Sequence, residues 1–154
     1  MKRTIIADTI AKVGERVRLN GWVNSKRAHG KIIFVDLRDI SGLVQLVFTP
    51  QHPFYDQAKK MSNEWVIEVE GPIQERPKDM INKNIATGKI EMEVQRLRIL
   101  SEAKPLPFSI DGDGYDISEK IRLKYRYLDL RRKRMQQNLI TRESLNFLPM
   151  LLGG

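Results

Sequence analysis

The stretch Lys31 to Phe48, KIIFVDLRDISGLVQLVF, constrains the fold of this 154-residue chain more than any other. At the two-residue period of a strand, Ile33, Val35 and Leu37 point to one face and Phe34, Asp36 and Arg38 to the other. Phe34 therefore stands on the polar face. Asp39-Ile40-Ser41-Gly42 carries turn chemistry and Leu43 to Phe48 is a second β-rich run, so the two runs predict a hairpin with an aromatic ring aimed at solvent. Such a ring either stacks on something flat or is covered as core by a neighbouring loop or helix.

The flanking segments complete a pattern. Ile5, Ile6, Ile10 and Val13 space as a short amphipathic turn or helix that Gly14 ends, a lid for one end of whatever follows. Val17 to Ser25 alternates as a strand, with Gly21-Trp22 suggesting a bulge or bend, and Ser25 to Gly30 reads as a basic loop leading into the Phe34 strand. After the hairpin, Pro53 near a helix start and Phe54, Ala58 and Met61 at i, i+4, i+7 predict one short helix. A fourth strand, Trp65 to Glu70, is broken by Gly71-Pro72. Gln74 to Lys89 has no period and reads as a long loop. Ile90, Met92 and Val94 begin a fifth strand, bulged near Arg96 where the apolar phase moves to Leu97 and Ile99.

Three strands, a short helix and two strands make a mainly β chain in the order of an OB-fold, a five-stranded barrel whose second and third strands commonly bind nucleic acid. An aromatic on the outer face of the second strand is where such barrels stack unpaired bases, at ~1–3 kcal/mol per base. Charge agrees with a polyanion partner: 27 Lys and Arg against 19 Asp and Glu give +8. The excess lies at the two ends, with nine basic to four acidic residues over 1–50 and nine to three over 118–154, while residues 51–117 are net acidic. The chain has no cysteine, which excludes a disulfide framework and a thiolate metal site, and its two histidines, His29 and His52, lie on different elements, so no zinc site is expected. MKRTIIADTIAK lacks the apolar run of a signal peptide, and no stretch approaches the ~20 apolar residues of a membrane helix. The expectation is a cytoplasmic protein.

From Ser101 to Asp116 the composition turns to Pro, Gly, Ser and Asp, the mark of a hinge or linker. The division expected is a barrel over residues 1–103, a linker over 104–117 and a helical region over 118–154. In the last, Asp116 or Ser118 can cap a first helix, and two helical pieces flank Tyr127-Leu128-Asp129. The run Arg131, Arg132, Lys133, Arg134 is either a solvated face or a phosphate contact.

Several of these stretches, taken in order, resemble one family. IRLKYRYLDLRRKRMQQNL (Ile121 to Leu139) resembles the hinge-to-catalytic segment of bacterial aspartyl-tRNA synthetases, class II aspartate–tRNA ligases. GWVNSKR, IIFVDLRDISGLVQLVF and NKNIATGKIE resemble their anticodon-binding barrel. The resemblance implies that Phe34 stacks on the middle anticodon base of tRNA(Asp), that Gln45 hydrogen-bonds base edges, and that Glu91 accepts from the first anticodon base, guanine or its queuosine form, an outward strand charge being the alternative for Glu91. It makes Arg27, Arg76 and Asn82 contacts to bases or backbone, a solvated surface being the alternative for each. His29 stands where the family carries leucine or histidine, the histidine form going with enzymes that also charge tRNA(Asn). Ser25 replaces a common arginine, and Lys133-Arg134 replaces Pro-Glu. By the same resemblance the whole enzyme is a homodimer that uses ATP and Mg2+, whereas no cofactor and no catalysis are expected of these 154 residues. They end at Leu148 to Gly154 about where the first class II motif would begin, with Pro149 and the glycine pair expected to interrupt the last helix. A truncated product, an excised piece and a frameshifted remnant all fit that ending. Two other functions stay open: a general single-stranded nucleic-acid-binding OB-fold protein, and half of a split ligase.

Overall fold

The alternation around Phe34 folds as the sequence predicts. In a computed structural model, which describes residues 2–152 and side chains as far as residue 145, β2 (Ile32–Asp39) and β3 (Gly42–Phe48) form a hairpin closed by Ile40-Ser41. Ile33, Val35 and Leu37 are buried, and Val44, Leu46 and Phe48 meet them across the sheet. Phe34 is half-buried and lies outside the buried cluster. The Asp39 carboxylate organises the turn. It accepts from the Ser41 amide and hydroxyl, from the Gly42 amide and, at 2.9 Å, from the Ile6 amide. Burial alone would raise its pKa, but those donors outweigh burial and hold it below the ordinary 3.8. Through that bond the 3-10 turn Ile6–Ala11 is fastened to the hairpin with Ile6 fully buried, while Ile5, Ile10 and Val13 remain exposed.

The chain divides into two compact units, Met1–Pro105 and Leu106–Gly154. In the first, β1 (Arg16–His29) pairs with β2, and its first half also pairs with β4 (Val66–Glu75). β5 (Ile90–Glu93) runs parallel to β3 and antiparallel to β4. The ring β1–β2–β3–β5–β4–β1 closes, giving the five-stranded OB barrel, with β6 (Arg96–Ser101) laid along β4. The helix α1 (Tyr55–Lys60) lies between β3 and β4 and puts Ala58 and Met61 into the core.

Four local expectations are corrected. Ser25 to His29 is not a loop, because each of these residues has a partner on β2, which puts Arg27 and His29 on one face of the strand and Lys26 on the other. The bulge sits at Asn24, between Val23 and Ser25, and not at Gly21; Gly21 instead permits a close approach, since a Cβ there would meet the Arg38 carbonyl at 2.4 Å. β4 runs through Gly71-Pro72. These residues fall where its partner changes from β6 to β5, so the amide that Pro72 lacks is not needed there, and the bare Gly71 lets the Glu93 carbonyl pass where a Cβ would be 1.9 Å away. The bulged fifth strand is two strands, split at Val94-Gln95, whose amides donate to Val47 and Glu70.

In the second unit, α2 (Glu119–Lys124) starts from Ser118, which makes no side-chain cap bond. Tyr127-Leu128-Asp129 is no gap between helices but part of a short one, α3 (Arg126–Asp129), followed by α4 (Lys133–Leu152). α4 passes through Pro149 where an interruption is expected; proline's fixed φ is compatible with a helix, and the lost hydrogen bond and ring clash fall near the end of α4. Gly153-Gly154 lies outside the described residues. The segment read as linker is fastened to this unit by Arg132, 1% exposed, whose guanidinium donates to Asp129 and to the carbonyls of Ser109, Asp111 and Gly112. One residue of the basic run is thus core, and Arg134 donates to the Asp113 carbonyl and lies over the Tyr115 ring. No helix among the described residues is long and apolar enough to cross a membrane.

Candidate nucleic-acid interface

Strand register gathers residues from four strands into one patch on the outer face of the barrel. Arg27 on β1 lies opposite Phe34 on β2, Asp36 on β2 opposite Gln45 on β3, and Gln45 opposite Glu91 on β5, which in turn faces Gln74 on β4. The side chains continue the line as a chain of hydrogen bonds. Asp36 Oδ2 accepts from Ser25 Oγ at 2.7 Å and from Arg27 Nη1 at 2.9 Å. Arg27 Nη2 donates to Gln45 Oε1, and Gln45 Nε2 donates to Glu91 Oε2 at 2.7 Å. The guanidinium of Arg27 is 5.6 Å from the centre of the Phe34 ring, within cation–π range.

Arg76, just beyond β4, is buried beside this chain. Its Nε donates to the Ile90 carbonyl at 2.8 Å and lies 3.9 Å from Glu91 Oε2, while its Nη2 is buried with no hydrogen-bond partner. Burial pushes the Arg76 pKa down and Arg27 adds to that, while Glu91 and Asp36 act against it. A buried guanidinium with a spare donor is a place for an acceptor from outside.

These residues border a groove of about 410 Å³ lined by Arg27, Ala28, His29, Phe34, Gln45, Arg76, Met80 and Asn82. The residues singled out in the sequence converge here: six of the seven line the groove, and Glu91 is joined to it through Gln45. Asn82 is placed by its loop, its amide donating to the Gly88 carbonyl and its Oδ1 accepting from the Asn84 amide. Gly88 is required there, because a Cβ would come within 1.7 Å of the Asn82 carbonyl. The loop is pinned to β3 by Thr87, whose hydroxyl donates to the Leu43 carbonyl. Two residues escaped the sequence reading. Asp36 was recognisable as an outward residue, but its partners depend on the register of three strands. Met80, 58% exposed on the 3-10 turn Lys78–Met80, lay in a stretch with no period to read.

Chemically the groove offers a flat ring, a cation over its face and a buried donor, with the Glu91 carboxylate joined to it through Gln45. That set suits a base taken out of its stack, with the ring holding the π face and the polar groups reading the edge. Among the described residues no group of three or more His, Asp or Glu could hold a metal ion.

The chain is similar to known proteins in both sequence and fold. Residues 17–100 match the family described as the OB-fold nucleic acid binding domain of the tRNA anticodon type. The chain is 53% identical over 134 residues to an aspartate–tRNA(Asp/Asn) ligase of Dictyoglomus turgidum, covering 86% of this chain and 22% of that one. It is 52% identical over 130 residues to an aspartate–tRNA ligase of Halalkalibacterium halodurans, covering 83% and 22%. Among solved structures it is similar to asparaginyl-tRNA synthetase from Pyrococcus horikoshii complexed with asparaginyl-adenylate, with TM-score 0.70 and 25% identity over 96% of this chain and 33% of that one. The chain therefore spans about a fifth of the length of these curated relatives. It belongs to the OB-fold nucleic acid binding family of the tRNA anticodon type and is homologous to the N-terminal region of aspartate–tRNA ligases.

Proposed function

We propose that this chain reads the anticodon of a transfer RNA as the recognition part of an aspartate–tRNA ligase. The observation that carries the reading is the half-buried Phe34 ring outside the barrel, with Arg27 over its face and the Gln45–Glu91 pair on the neighbouring strands. The middle base of the anticodon stacks on Phe34. Gln45 and Glu91 meet base edges, and Arg27, Arg76 and Asn82 meet bases or backbone. His29 on the groove, and relatives named for both tRNA(Asp) and tRNA(Asn), favour a protein that accepts both. In the complete ligase this docking presents the acceptor end for aspartylation; ATP, Mg2+ and a homodimer belong to that larger protein, in the cytoplasm.

The test is competition. The anticodon stem-loop of tRNA(Asp) should displace labelled tRNA(Asp) far better than an unrelated stem-loop of equal length and charge, with the tRNA(Asn) stem-loop close behind it. Equal displacement by the unrelated loop would make the chain a general single-strand binder. A hundredfold preference for the aspartate over the asparagine loop would end the dual-tRNA reading.

A further inference from the structure

Asp36 is out of place on a surface meant for RNA. It adds a negative charge beside a groove that receives a polyanion, and it is not among the residues that line that groove. Its side chain is about one-fifth exposed, and a single oxygen, Oδ2, accepts from both Ser25 Oγ and Arg27 Nη1. Arg27 is half exposed and long, and left alone its guanidinium would sample many rotamers. Here it is tied at both ends, by Asp36 through Nη1 and by Gln45 through Nη2, and lies over the Phe34 ring.

We propose that Asp36, steadied by Ser25, is a positioning residue for RNA binding: it fixes the Arg27 guanidinium over Phe34 in the free protein, so that the stacking site is assembled before a base arrives. The gain is conformational. An arginine ordered in advance loses less freedom on binding than one ordered by the ligand. The inference rests on the anticodon reading above, and it makes a prediction opposite in sign to simple electrostatics. Removing a carboxylate near a phosphate backbone should tighten binding through charge alone; removing this one should weaken it.

The experiment titrates the tRNA(Asp) anticodon stem-loop with the unaltered chain, Asp36→Asn, Arg27→Met and the double variant, at one salt concentration. Asp36→Asn should bind roughly tenfold more weakly, the order expected for loss of a charge-assisted hydrogen bond, and should cost nothing more in the Arg27→Met background. Unchanged or tighter binding by Asp36→Asn overturns the proposal, and so does an equal loss in both backgrounds, which would show that Asp36 acts without Arg27. Should Asp36→Asn fail to unfold cooperatively, Ser25→Ala leaves both charges in place and should lose roughly threefold; no loss there overturns the proposal as well. Absence of binding by the unaltered chain would overturn the anticodon reading and this inference together, whereas the other outcomes leave that reading standing.

Discussion

Carboxylates beside arginines do three different things in this molecule, and the difference lies in what else each can reach. Glu91 has one oxygen engaged by Gln45 and near Arg76, which leaves the other for an incoming donor. Glu70 is closed off by Arg18 at 2.7 Å, with Arg16 and Arg96 within 3.7 Å, and the Arg18 hydrogen bond holds its pKa below the ordinary 4.5. Asp129 is fully buried and joins Arg126 and Arg132. Glu91→Gln should therefore keep the fold and lose about 1.5–3 kcal/mol of preference for guanine at the first anticodon position, read by titrating stem-loops that differ at that base. Arg132→Met should cost about 3–5 kcal/mol, the usual result of removing one partner from a buried ion pair, seen as faster amide exchange in α3 and α4. Phe34 was legible in the sequence because alternation alone places it outside. Arg132 was not, because four adjacent cations carry no sign of which one is enclosed, and only Asp129 three residues earlier hinted at it.

The hairpin and its attachments show what holds the reading surface in shape. Asp39 accepts from four donors, three within the β2–β3 turn and one, the Ile6 amide, from the N-terminal 3-10 turn, so Asp39→Ala should cost about 2–3 kcal/mol in urea unfolding at pH 7. Its pH dependence has a definite sign. A carboxylate whose folded pKa lies below its unfolded value contributes stability above the unfolded value and loses it as pH falls through the folded one. Asp39 and Glu70 are both lowered, from 3.8 and 4.5, so the native chain should be steady from neutral pH to about pH 5 and weaken progressively below pH 4, and Asp39→Ala should show a smaller acid loss. Gly71→Ala should cost about 2 kcal/mol or more, because the Glu93 carbonyl occupies the space of the new methyl. Here the sequence misled in a consistent way. Gly71-Pro72 and Ser25 to Gly30 carry the composition of breaks and loops, yet closing a small barrel needs long strands that change partner midway, and glycine and proline sit at that change.

At the scale of the whole molecule, the order of elements was readable because each strand buries one face and the period survives. The side-chain chain across the patch was not, because register between strands is a property of the closed barrel. Net charge also says less than it suggests. Of the 27 basic residues, Arg16, Arg18 and Arg96 surround Glu70, Arg132 is enclosed, and Arg27 and Arg76, with His29, line the groove. Binding should thus show a modest salt dependence, with log K against log salt falling at about −2 to −3, as for three or four phosphates on a single strand; a slope near −6 would mean that the full basic excess meets RNA. The most direct test of the account is a titration of the tRNA(Asp) anticodon stem-loop with the native chain and with Phe34→Ala. Replacing the ring should cost ~1–3 kcal/mol of binding, roughly five- to 150-fold, while cooperative unfolding is retained. Equal affinity of the two folded proteins would contradict it.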